Sequence, residues 1–169
     1  MIQARPLLPV LLIVLATLIC ALPWGPPPEF RLAVPLLPYV VIHRCVERWG
    51  LATPDWLVFL AGFATDVAGQ GPLGYWALIY LCGYTMIRSV TVDRTHGFWP
   101  SIFLFLVTIA TLALMQWSVA SIYYLRSTDI QPLILAVAVS AGAYLVLRLL
   151  VPGEPTEPAR VNSRLERGL

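Results

Sequence analysis

The stretch from Pro54 to Arg88, PDWLVFLAGFATDVAGQGPLGYWALIYLCGYTMIR, holds the one acid whose position suggests chemistry. Asp66 lies 11 residues beyond Asp55, which on a helix is about 16 Å of travel into an otherwise apolar segment. A carboxylate near the middle of a bilayer costs about 2.5–3.5 kcal/mol even on a lenient insertion scale, so it needs a partner. The break Gly69-Gln70-Gly71 follows within one turn, and then Pro72, a residue favoured at the first position of a helix. A helix beginning there leaves the amides of Leu73 and Gly74 as unpaired donors at its positive end, where Asp66 can accept from them. The spacing therefore predicts a short helical hairpin with its tip below the membrane surface, and a shallow outward-facing cavity beside it. Two roles for Asp66 follow. It caps the hairpin and holds its shape, or it binds a proton, an ion or a small ligand. The lack of a second intramembrane acid, His or Lys favours the cap.

Other chemistry is hard to assemble. His43 and His96 are far apart, at expected cytoplasmic helix ends, and no HExxH occurs. There is no GxSxG, no phosphate-binding glycine loop and no serine beside an evident base. Cys20, Cys45 and Cys82 have neither CxxC spacing nor an even count, and read as small apolar packing residues. The sequence thus predicts no catalytic centre, no metal site and no cofactor. The 11 basic residues are all arginine, stand against 9 acids and are scattered, which is no footprint for nucleic acid.

Small and weakly polar residues recur at helical spacing. Ala61, Thr65 and Gly69 follow one another at every fourth position, with Gly62, Ala64 and Ala68 beside them. Ser101, Thr108, Thr111, Met115 and Ser118 form a second stripe, and Ala136-xxx-Ser140 with Ala138-xxx-Gly142 a third. Such faces allow helices to approach closely, within the chain or against another protein. Ala61, Gly62, Thr65, Thr108, Thr111, Ser118, Ser140 and Gly142 are the expected helix–helix contact residues.

The elements that must position these residues are apolar helices. Of 169 residues, 59% are hydrophobic and 12% charged, against about 25% charged in a soluble domain, and the mean hydropathy is +0.78. An all-α integral membrane protein is expected, not a soluble enzyme, a disordered regulator or a disulfide-built domain. Six spans are predicted, about Leu7–Leu22, Leu32–Ile42 (or to Trp49 if its charged end is helical), Asp55–Ala68, Pro72–Ile87, Phe98–Tyr124 and Ile130–Leu150. The first reads as a retained helix, since Pro6 and Pro9 interrupt any signal-peptide pattern. With the N-terminus inside, nine of the arginines fall on cytoplasmic segments and only Arg31 and Arg126 outside, so both termini are predicted to be cytoplasmic. Trp24, Tyr75, Trp76, Trp117, Tyr123 and Tyr124 then fall near the outer interface, and Trp49, Trp56, Phe98 and Trp99 near the inner one. Residues 1–151 form the six-helix domain, and 152–169 a proline-punctuated, flexible basic tail suited to an anionic leaflet.

A proline-bearing second span (Pro35-Leu-Leu-Pro38-Tyr39), PDW, GFxxDVxGxGPLGYWAL and a GY-x-x-x-R exit together make the chain resemble the rod shape-determining protein MreD family. Gly62, Asp66, Gly69, Leu73 and Gly74 carry the most specific part of the resemblance; elsewhere it rests on length, hydropathy and the six-span plan. The PPP-E turn after the first span departs from the family pattern. The resemblance implies a non-enzymatic component of the bacterial cell-wall elongation complex in the inner membrane. It implies association with MreC, with RodA and its penicillin-binding transpeptidase, and indirectly with MreB and RodZ. It also implies a fold similar to the substrate-binding subunits of energy-coupling-factor transporters, so a small-molecule-binding subunit of such a transporter is the alternative function.

Overall fold

A computed structural model describes residues 7–22, 25, 27, 30, 32–49, 53–70, 72–91, 97–124 and 130–151. Among these residues the chain is helical with no strand: α1 (Leu7–Ala21), α2 (Leu37–Trp49), α3 (Asp55–Gly69), α4 (Tyr75–Thr91), α5 (Phe98–Tyr124) and α6 (Gln131–Leu150). A single 3-10 turn, Val34–Leu36, leads into α2. The tail at 152–169 lies outside the described residues, as do Gly71, Arg5, Arg31, Arg94, His96 and Arg126. The side chains of Trp24, Tyr123 and Tyr124 lie outside them too.

The helices pack in two rows. α1, α2 and α6 make one row and α3, α4 and α5 the other, with α1 against α3, α2 against α4 and α6 against α5. Neighbours along each chain reversal run antiparallel, as the contacts at their ends show. The Tyr84 hydroxyl near the end of α4 reaches the Thr53 carbonyl before α3, and Ser101 at the start of α5 meets Tyr144 late in α6. As a result α2, α4 and α6 all end at one end of the bundle. Each of these three carries an arginine in its last turn, Arg48, Arg88 and Arg148, whereas α1, α3 and α5 carry none. A cation there complements the partial negative charge of a helix C-terminus.

α2 is the central element. Pro38, Tyr39, Val40, Ile42, His43, Arg44, Cys45 and Val46 are all buried, so this helix has almost no outward face. The second expected helix thus takes the longer of its two forms, ending at Trp49, but starts at Leu37 and not at Leu32. Around it the core is aromatic as much as aliphatic, with Tyr39, Tyr80, Phe105 and Tyr144 essentially inaccessible. Phe105 and Tyr144 stack at 4.1 Å, and His43 meets both edge-on, at 4.9 and 5.5 Å. His43, expected at a helix end facing the cytoplasm, is therefore a core residue.

The outside is the apolar surface. Leu7, Leu11 and Leu18 on α1, Trp99 and Phe103 on α5, and Ile134 and Leu149 on α6 are each more than 60% exposed. Isolated apolar residues on a surface are ordinary, but contiguous stripes running the length of several helices are not. Two helices are long and apolar enough to cross a membrane, α5 over Phe98–Val119 and α6 over Gln131–Leu150. α1 is apolar but shorter.

Candidate functional site

Asp66 sits in the last turn of α3 and is 1% exposed. Its carboxylate accepts from the backbone amides of Gly74 at 2.9 Å, Trp76 at 2.8 Å and Ala77 at 3.4 Å. These are orphan donors at the start of α4, so an acid on one helix caps the next. All three of these partners are backbone donors of the α3–α4 corner.

The local register differs from the sequence expectation. α4 begins at Tyr75 and not at Pro72, because Pro72-Leu73-Gly74-Tyr75 forms a turn closed by the Tyr75 amide on the Pro72 carbonyl at 3.2 Å. Gly74, third in that turn, has φ +92°, the positive value that a type II turn requires at this position. Its carbonyl then accepts from Leu78 at 2.9 Å as the first bond of α4. Leu73, expected to donate its amide to Asp66, instead exposes its side chain, and Pro72 stands outside the helix. On the other side of the corner, Gln70 closes α3 in the left-handed region at φ 51°.

Gly62 explains how the two helices come close enough for this cap. A Cβ built there would lie 2.4 Å from the Ala77 Cα and 2.6 Å from its nitrogen. No side chain fits, and α3 and α4 touch backbone to backbone. Ala61 and Thr65 lie buried on the same side of α3. The Thr65 hydroxyl donates to the Ala61 carbonyl at 2.8 Å and stands 3.4 Å from the Tyr80 hydroxyl, which in turn donates to the Pro35 carbonyl in the 3-10 turn before α2. Gly69 has open space around it.

The other expected contact residues divide. Thr108 and Ser140 are fully buried and belong to packing within the bundle. Thr111, Ser118 and Gly142 are exposed. The hydroxyls of Thr111 and Ser118 are already spent on carbonyls one turn back, Val107 and Leu114, each at 2.8 Å, so this stripe presents no unmet polar group.

A second polar cluster lies at the opposite end of the bundle. Glu47 on α2 receives Arg44 at 2.8 Å and the Tyr144 hydroxyl at 3.0 Å, with Arg148 at 3.8 Å. The Tyr144 hydroxyl also accepts from Arg148 at 3.0 Å, and Ser101 of α5 lies 3.0 Å from it. Arg44 sends its other terminal nitrogen to the carbonyl of Val151, just past α6, at 2.5 Å. One carboxylate thus faces two guanidiniums, and the carbonyl end of α6 supplies the remaining negative character. Arg148 also packs over Phe98, 4.6 Å from its centroid. A third, more open group joins α3 to α4: Arg88 bridges Asp55 at 2.9 Å, and the Tyr84 hydroxyl donates to the same oxygen at 2.8 Å.

The sequence expectation placed Arg44, Arg48 and Arg148 only as cytoplasmic markers and gave Glu47 and Tyr144 no part. The spacing held a usable signal, because Arg44 and Glu47 at i,i+3 and Tyr144 and Arg148 at i,i+4 are same-face pairs on helices. Among the described residues no three of His, Cys, Asp and Glu come together as a metal site would require, and Cys20, Cys45 and Cys82 are unpaired. No family model, curated protein or solved structure matches the chain.

Proposed function

We propose that this chain is a six-span protein of the bacterial inner membrane, with both termini cytoplasmic, that serves the cell-wall elongation complex as a non-enzymatic scaffold. It would bind MreC and the wall synthases, RodA with its penicillin-binding transpeptidase, through helix faces, and couple indirectly to MreB and RodZ. The placement in a membrane draws support from the apolar exterior, from α5 and α6, and from the gathering of Arg44, Arg48, Arg88 and Arg148 at one end of the bundle. Trp49, Trp56 and Trp99 lie at that same end, as an interfacial belt would.

The carrying observation is what the residues behind the MreD resemblance do. Gly62 admits the backbone of α4, Asp66 caps it and Gly74 makes the turn. Each has an architectural task, and the acid is buried and accepts from three backbone amides of the hairpin. A motif spent on holding a hairpin supports a protein that works by shape and contact.

The test is affinity purification of the tagged protein from its native membrane in mild detergent, with the co-purifying proteins identified. Recovery of MreC and the wall synthases is the expected result. Recovery of a transporter ATPase pair without wall-synthesis proteins would overturn it in favour of a transporter subunit.

A further inference from the structure

The two ends of the helix rows differ in height. At one end stand α1 and α3, each of 15 residues, which is about 22 Å of helix. At the other stand α5 and α6, of 27 and 20 residues, or about 40 and 30 Å. A typical hydrocarbon core is about 30 Å thick. The long end meets or exceeds that figure and the short end falls about 8 Å below it.

Polar groups fix the limits of the short end. α3 starts at Asp55, whose bridge to Arg88 is open to solvent, with side chains 64% and 41% exposed. It stops at exposed Gln70, where the backbone leaves the helix for the turn into α4. Irregular backbone is not tolerated against lipid tails, so the headgroup layer must reach both places. Between them α3 shows lipid only apolar side chains such as Trp56, Leu60 and Val67. For α1 beside it the limits come from the sequence, which bounds its apolar run by Arg5 and the proline cluster from Pro23. The exposed apolar row of α5 continues from Trp99 to Ile122 with no charged residue.

From this asymmetry we propose that the protein thins the bilayer along its α1–α3 side and leaves it at full thickness along α5–α6. The ligand of the short face is lipid of short hydrophobic length, or longer lipid compressed to match. Mismatch has a modest cost per ångström, enough to sort lipids and helices by length. The proposal rests on the membrane-spanning part of the functional reading, not on the identity of the partners.

Trp56 on α3 and Trp99 on α5 stand at the same end of the bundle, on the two contrasting sides, and both are well exposed. The full-length protein is reconstituted in vesicles containing equal amounts of dimyristoleoyl- and dierucoyl-phosphatidylcholine, with one or the other lipid brominated. The quenching lost on Trp56→Phe reports the neighbours of α3, and that lost on Trp99→Phe those of α5. Short-chain lipid is expected to be enriched about twofold or more around Trp56 relative to Trp99, with the preference inverted when the bromine is on the long lipid. Equal selectivity at the two positions overturns the thinning while leaving the spans in place. No quenching of Trp56 by either lipid puts α3 outside the bilayer and overturns both.

Discussion

Removing the Asp66 carboxylate tests whether α4 is held from α3. Its two short bonds, to Trp76 at 2.8 Å and Gly74 at 2.9 Å, are charge-assisted, and such bonds contribute about 1.5–3 kcal/mol each. Together they amount to about 3–6 kcal/mol. Against this stands the cost of holding the acid out of water, about 2.5–3.5 kcal/mol on the lenient scale, which a neutral side chain recovers in part. Counted from the amide side, the same loss leaves two buried donors without an acceptor, at about 1–3 kcal/mol each, and is not a further cost. The balance is a destabilisation of about 2–4 kcal/mol for Asp66→Ala. Asp66→Asn keeps one acceptor oxygen and is expected to cost about 1–2 kcal/mol. The assay is SDS titration of the full-length protein in mixed micelles, followed by far-UV circular dichroism. Asp55→Asn is the control, since its bridge to Arg88 is exposed and its loss is worth about 1 kcal/mol at most. The reasoning fails if Asp66→Ala and Asp66→Asn both unfold within about 0.5 kcal/mol of the native protein. The acid would then be kept for a proton or a ligand and not for the hairpin.

Three further outcomes follow from the same contacts and are read by the same titration. Gly62→Ala would drive a methyl into the Ala77 backbone and is expected to cost about 1–3 kcal/mol, whereas Gly69→Ala, with open space around it, should be neutral or stabilising by up to about 1 kcal/mol. Gly74→Ala strains a turn that needs φ +92°, at about 1–3 kcal/mol, and equal stability with glycine would refute the turn. Glu47→Gln strips the buried Arg44 and the part-buried Arg148 of their carboxylate and should cost about 3–5 kcal/mol; a double-mutant cycle with Arg148→Met that returns no coupling would break the cluster into unrelated pairs.

The apolar elements were legible where sequence punctuation and helix ends coincide. The run from Phe98 to Tyr124 is both the expected span and the observed α5, because the chain on either side turns polar at His96 and Arg126. The acceptor role of Asp66 was legible as well, from one acid beside one break. The start of α4 was not. Proline at a first helical position is a statistical preference of that residue, and here it lost to the turn that Gly74 permits two residues later. The interior of α2 was misread for a different reason. A hydropathy scale treats Arg44 and Glu47 as groups that belong in water, yet each is satisfied by a partner the scale cannot see. Glu47 has Tyr144 and Arg148, and Arg44 has the carbonyl that ends α6. Burial of such residues is decided by the arrival of another helix, not by their neighbours in sequence.

The two buried charged groups share a logic that bears on where function can reside. Asp66 meets the amide end of α4, and Arg44 meets the carbonyl end of α6. Each places its charged group on the complementary pole of another helix, so each fixes an inter-helix position. Thr65, Thr111 and Ser118 are likewise satisfied by their own helices. The large side chains exposed along α1, α5 and α6 are apolar, and these helices differ in length. On the proposed scaffold reading, recognition takes place on those outer helix faces, where packing and bilayer thickness discriminate among neighbours. A variant that shortens the exposed apolar row of α5 should therefore alter partner recovery in the affinity purification while leaving the SDS titration midpoint unchanged. A change in the midpoint without a change in partners would place the discriminating surface elsewhere.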